Sequence, residues 1–174
     1  GMRESGGGRT GVGVAFKLAQ ALLDAPAEDE RLKKYLDLVT LGTVADMGRI
    51  TGENRVLVRH GLDILSSGPA ALRPGIAALK QVAGLNGKRV NVGNVGFNLA
   101  PRINASGRLE KADTAFRLMT TDSPDEAARL AVQLDTVNRE RQAVEEGIWG
   151  MARELCLQAD LANTGAFILS SEDW

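Results

Sequence analysis

One helical run near the C-terminal end constrains this chain more than any other feature. Ser123-Pro124-Asp125-Glu126 is a strong helix start, with Ser123 as N-cap, Pro124 at the first helical position and two acids in the first turn. From there Ala127, Leu130, Leu134, Val137, Arg141, Val144, Ile148, Met151 and Leu155 step by three or four residues. The pattern predicts one helix of roughly 35 residues, reaching about Leu161 and about 50 Å long. Gly147 and Gly150 weaken its middle. Such a length marks a connector between domains or a coiled-coil seam. Beyond it, Gly165 to Ser171 reads as a buried strand. A lone strand needs partners for its backbone groups, and none follow, so the chain reads as cut in mid-domain.

The residues before the long helix predict a set of shorter ones. Gly6 to Gly11 formally matches G-x-G-x-x-G, but no strand precedes it, so residues 1–10 read as a disordered lead-in. Val14, Ala15, Leu18, Ala19, Leu22 and Leu23 predict a helix ending before Pro26. Ala27 to Arg31 reads as a turn, followed by a helix through Leu32, Tyr35, Leu36, Leu38 and Val39. Gly42 and Thr43 suggest its end, leaving Asp46 in or beside a tight connection. A third helix opens at Gly52, with Val56, Leu57, Leu62, Ile64 and Leu65 inward and Arg55, Arg59 and His60 on a solvated face. A short helix follows Arg73-Pro74, and Leu109 to Met119 forms another.

Between those last two lies the densest cluster of phosphate-binding chemistry. Leu99-Ala100-Pro101-Arg102-Ile103-Asn104-Ala105-Ser106-Gly107-Arg108-Leu109 holds two guanidiniums, an amide and a hydroxyl. Guanidiniums grip phosphate in bidentate fashion, and Asn and Ser add donors. Pro101 should break or re-aim what precedes it. On chemistry alone a helix–loop–helix corner, capped by Asn104 and turned at Gly107, explains the segment as well.

Composition narrows the function classes. The formal net charge is −1, so no global field draws in nucleic acid, and a phosphate site must be a local cluster. A single cysteine, Cys156, and a single histidine, His60, exclude a self-contained zinc site. Cysteine usage fits a reducing, cytoplasmic setting. No apolar run approaches the roughly 20 residues that span a bilayer, so no membrane is expected. Aromatic content of 4% argues against a stacking platform for bases.

Several of these stretches together resemble a known family. Gly11-Val12-Gly13-Val14-Ala15-Phe16-Lys17-Leu18 is similar to a helix of RecJ-type single-strand-specific exonucleases, members of the DHH phosphoesterase superfamily. Leu36 to Asp46, ending Leu41-Gly42-Thr43-Val44-Ala45-Asp46, resembles the motif that supplies the last carboxylate of their metal centre. Gly96 to Leu109 resembles their Asn/Arg motif, and Leu134 to Gln142 their long linking helix. The resemblance implies a mainly α chain: the C-terminal part of an α/β DHH domain at 11–122, the linking helix at 123–162, and the first strand of a truncated DHHA1-like domain at 163–174. It implies 5′→3′ hydrolysis of single-stranded DNA with Mn²⁺ or Mg²⁺, in the service of DNA repair and recombination. Asp46 would be a metal ligand. Asn104 and Arg108, with Arg102 as a further candidate, would contact substrate phosphate or support the metal site.

The family's other aspartates and its Asp-His-His triplet precede the matched region, and no His-His pair occurs here. Met47-Gly48-Arg49-Ile50 stands where the family has an apolar, proline-containing turn. One carboxylate cannot hold two such metals, so the chain alone is expected to be inactive and not to hold them. The alternatives are a non-catalytic nucleic-acid- or protein-binding remnant, and another DHH phosphodiesterase acting on oligonucleotides or cyclic dinucleotides. Apolar helix faces left uncovered are expected to drive self-association.

Overall fold

A computed structural model of the chain describes residues 10–26, 29–105, 112–158, 165–172 and 174. The fold is mostly helical, with no strand among the described residues. The helices are α1 (Gly11–Leu22), α2 (Glu30–Lys33), α3 (Leu36–Ala45), α4 (Gly52–Leu65), α5 (Pro74–Val82), the single turn α6 (Val92–Asn94), α7 (Ala100–Asn104), α8 (Ala112–Thr120) and α9 (Pro124–Leu157). A π-helical turn, Val95–Leu99, joins α6 to α7.

The long helix forms as its start signals dictate. The Ser123 hydroxyl accepts the Glu126 N–H, and Pro124 occupies the first turn. Burial is confined to its first half, where Ala127, Leu130, Ala131, Leu134, Asp135 and Asn138 face α5, α7 and α8. Leu65, Ile76, Leu79, Leu99, Leu118 and Leu134 make the centre of this main core. A smaller core holds Phe16, Leu32, Leu36 and Val39 under α1.

Two close approaches set how the helices stack. A Cβ on Gly61 would lie 1.9 Å from Thr40 Oγ1 and 2.2 Å from the Leu36 carbonyl oxygen, so α4 crosses α3 nearly backbone to backbone. The Thr40 hydroxyl donates to the Val58 carbonyl, and the two contacts together make α3 and α4 antiparallel. At Gly75 a Cβ would meet the Leu118 carbonyl at 1.8 Å, which seats α5 on α8. Buried polar groups tie the stack. Asp37 takes Arg73 Nε at 2.7 Å, and the Lys80 ammonium donates to the Leu65 and Ser67 carbonyls, closing the end of α4. Burial pulls the Lys80 ammonium below its ordinary range.

Several expectations need correction. The helix expected through Leu32 and Val39 is two helices, α2 and α3, and α3 continues through Gly42 and Thr43 to Ala45. Gly42 does not end a helix; it lets Val12 of α1 approach, since a Cβ there would meet the Val12 side chain at 2.8 Å. The α1 stripe of Val14, Leu18 and Leu22 is exposed, and the buried face carries Gly13 and Phe16. On α4 Val56 points outward at 54% exposure, while Asn54, Val58, Gly61 and Leu65 face in. Residues 165–171 are mostly exposed and irregular rather than a buried strand, because no described segment lies alongside to complete a ladder. Of the disordered lead-in expected at residues 1–10, residues 1–9 lie outside the described residues, while Thr10 is a buried residue at the N-cap of α1 rather than part of a lead-in.

Candidate functional site

The end of α3 is shaped by an unusual cap. Asp46 is the C-cap, Met47 follows with φ +53°, the Gly48 N–H donates to the Thr43 carbonyl at 2.9 Å and the Met47 N–H to the Val44 carbonyl at 3.0 Å. This is the Schellman arrangement, with a methionine in the left-handed position that glycine normally fills. Met47 is 91% exposed and gains no packing in return. Thr10 packs over Gly48, and its hydroxyl meets that of buried Thr43 at 3.2 Å. The result holds Asp46 at a fixed helix end, consistent with the tight connection its sequence suggested.

The neighbouring π turn follows from Pro101. Proline cannot donate to the carbonyl one turn back, and the chain answers by widening that turn, with the Ala100 N–H reaching the Val95 carbonyl. The helix is therefore re-aimed rather than broken. Both the π turn and α7 pack on α3, with Gly96 beside Val44. Phe97 is left 81% exposed.

Of the residues singled out in the sequence, Asn104 is exposed as the last residue of α7. Arg108, with Ser106 and Gly107, lies outside the described residues. Arg102 turns away from solvent. Its guanidinium donates to Asp135 Oδ1 of α9 at 2.9 Å and to the Asn98 carbonyl, and Arg139 holds the other Asp135 oxygen at 2.8 Å. Asp135 is the site-shaping residue that the single motifs did not reveal, and Asn138 is a second buried polar residue near it on α9. Both stand in the Leu134–Gln142 stretch, one turn apart, as polar interruptions of the inward face. Asn138 is fully buried, and neither of its amide atoms finds a hydrogen-bond partner among the described residues.

The chemistry available is thus a carboxylate and an exposed amide on helices packed against each other. Among the described residues no group of three or more His, Cys, Asp or Glu side chains could hold a metal ion. Asp46 is a single carboxylate, and the described residues do not fit a two-metal centre. Among them too, no helix is long and apolar enough to cross a membrane.

No family model matches the chain. It is, however, 38% identical over 164 residues to the single-stranded-DNA-specific exonuclease RecJ of Bacillus subtilis (strain 168), covering 94% of this chain and 20% of that protein. To RecJ of Escherichia coli (strain K12) it is 40% identical over 156 residues, covering 84% of this chain and 27% of that protein. The chain therefore spans about a quarter of the length of the curated relatives it matches. A crystal structure of exonuclease RecJ bound to manganese aligns with TM-score 0.71 and 37% identity over 91% of this chain and 39% of that one. RecJ from Thermus thermophilus in complex with Mg²⁺ aligns with TM-score 0.71 and 37% identity over 91% of this chain and 24% of that one. The relatives' metals are those the sequence resemblance implied.

Proposed function

We propose, on the premise that in sequence and in fold this chain is a RecJ-like segment, that it is the substrate-holding part of a metal-dependent exonuclease acting on single-stranded DNA from the 5′ end. The carrying observation is the similarity itself, which extends over 94% of the chain in one alignment and over 91% of it in the structural one. In this reading residues 11–122 are the later part of a DHH domain, 123–162 the linking helix and 163–174 the start of a DHHA1-like domain. Asp46 gives one ligand to a metal centre whose other carboxylates and histidines come from elsewhere in the enzyme. Asn104 and Arg108 hold substrate phosphate. Arg102 serves them at one remove, by fastening α7 to α9 through Asp135.

With Asp46 as its one matched metal ligand, the 174-residue chain does not hydrolyse DNA unaided. A 5′-phosphorylated single-stranded oligonucleotide incubated with the purified chain and Mn²⁺ stays intact. In a longer parent enzyme carrying this segment, Asp46→Ala abolishes nucleotide release. Release by the chain itself that disappears in Asp46→Ala would overturn the proposal of an inactive segment. An active Asp46→Ala parent would overturn the metal role.

A further inference from the structure

The geometry points to a phosphodiester-binding groove along α4 that grips single-stranded nucleic acid through Arg55, Arg59 and Arg89. This rests on the reading of the chain as part of a protein that handles single-stranded DNA. The three arginines line one surface groove of about 470 Å³, between α4 and residues 89–92. All three are exposed, and none of their guanidiniums has a hydrogen-bond or ion-pair partner among the described residues. Elsewhere Arg31, Arg73, Arg102, Arg117 and Arg141 each form an ion pair with a carboxylate; Arg49, Arg129 and Arg153, like the groove arginines, form none among the described residues, but they do not line this groove.

Solvation alone does not account for this arrangement. Arg55 and Arg59 stand one helical turn apart, a like-charge spacing that opposes helix formation. Asp63, a further turn on, lines the same groove and could neutralise Arg59, yet the two form no ion pair. The groove is also built rather than loose. The Ser66 hydroxyl donates to the Leu62 carbonyl at 2.7 Å and accepts the Val90 N–H at 3.0 Å, which fastens the stretch of backbone carrying Arg89 to the end of α4. At the other end the buried Asn54 amide donates to the Arg49 carbonyl at 3.0 Å, pinning the connector from α3. Leu62 and Val92 add an apolar floor.

Planar forks in a row over an apolar floor suit phosphates joined by sugars. With aromatics so scarce, the grip falls on the backbone and is indifferent to sequence. The antiparallel α3–α4 pair puts the first turns of α4 beside the end of α3. The groove therefore begins at Arg55, on the turns of α4 nearest the end of α3, and runs along α4 toward Arg89.

The test is fluorescence anisotropy of a labelled oligo-dT against the 174-residue chain across a salt series, comparing wild type with R55A/R59A/R89A and with Asn104→Ala. The triple variant should bind at least about ten-fold more weakly, and its log–log salt slope should be shallower by about 2, as three lost phosphate contacts on a single strand predict. Circular dichroism melting verifies the fold, and R55K/R59K/R89K, which keeps the charge, should retain most of the slope. Wild-type affinity and slope in the triple variant, with binding lost in Asn104→Ala, would overturn the groove and leave the proposed function standing. No salt-dependent binding by wild type would overturn both. Equal capture of poly-glutamate, lost in the same triple variant, would overturn nucleic acid as the occupant in favour of an acidic protein face.

Discussion

Arg102 of α7 and Asp135 of α9 meet at 2.9 Å, both nearly closed to solvent, and join the phosphate-type motif to the long helix across 33 residues of sequence. Asp135 also takes Arg139, but that side chain is 72% exposed and cannot replace a buried partner. Arg102→Met leaves the Asp135 carboxylate buried with only this outer cation. The cost of stranding a buried charge is about 3 kcal/mol. Urea denaturation should show that loss, and Arg102→Met/Asp135→Leu should recover most of it. A single variant as stable as wild type would mean that the pair does not tie α7 to α9.

Met47 offers the opposite prospect, a gain. Its φ of +53° in the cap after Asp46 is a conformation that costs a residue with a Cβ, and its side chain buries nothing to offset that. Met47→Gly should stabilise the chain by about 1 kcal/mol, discounted by the extra freedom glycine brings to the unfolded state. Thermal unfolding reads the difference. In a catalytically competent parent the same change should leave Asp46 in place and activity within about two-fold, since the hydrogen bonds of the cap come from the backbone.

Acid should loosen the turn before α3. The Asp29 carboxyl is held at about 2 against an ordinary 3.8, chiefly by the hydrogen bond from the Arg31 side chain and then by that from the Arg31 N–H. The folded chain therefore binds this proton less readily than the unfolded chain. The contact favours folding fully above pH 3.8 and is lost as pH falls from there through about 2. NMR titration of the Asp29 carboxyl should place its midpoint near the lower value. In Asp29→Asn the acid-side loss of the α2 cap should vanish from the titration of neighbouring amides.

How much of this could be read without the structure depended on whether a residue's neighbours lie close in sequence. The start of α9 is local chemistry, Ser123 and Pro124 acting within one turn, and it was legible. That Asp46 lies at a tight connection was legible for the same reason, although the helix end expected at Gly42 and Thr43 falls at Ala45. The face that α4 buries was not. Val56, Leu57 and Val58 are adjacent and all apolar, and the choice among them falls to Gly61, where α3 comes within contact of the α4 backbone. Arg102 carried the signature of a phosphate grip, while the residue that engages it, Asp135, sits 33 positions away inside an apolar stripe. The residues over 165–171 have strand composition, but a strand is made by a partner as much as by its own sequence.

The far half of α9 leads to the last prediction. Val144, Met151 and Leu155 continue the step of the buried first half, yet they stand 64%, 43% and 44% exposed, with Trp149 at 68% beside them. The helix keeps a regular apolar seam over a stretch where the described residues supply nothing to pack on it. A seam of this period is satisfied by another helix of like period, and a second copy of the chain carries one. The facing charges work against a tight pair, because Glu140 and Glu154 flank the seam and would repel their counterparts, whereas Glu145 is paired with Arg141. Weak association is therefore expected, strengthened by salt rather than weakened by it, which separates it from the salt-sensitive binding of an anion groove. Sedimentation velocity over a concentration series should show a mass rising above 18.5 kDa, and Met151→Glu/Leu155→Glu should return it to the monomer. A wild-type chain that remains monomeric at high concentration and high salt would show that this seam does not pair with itself.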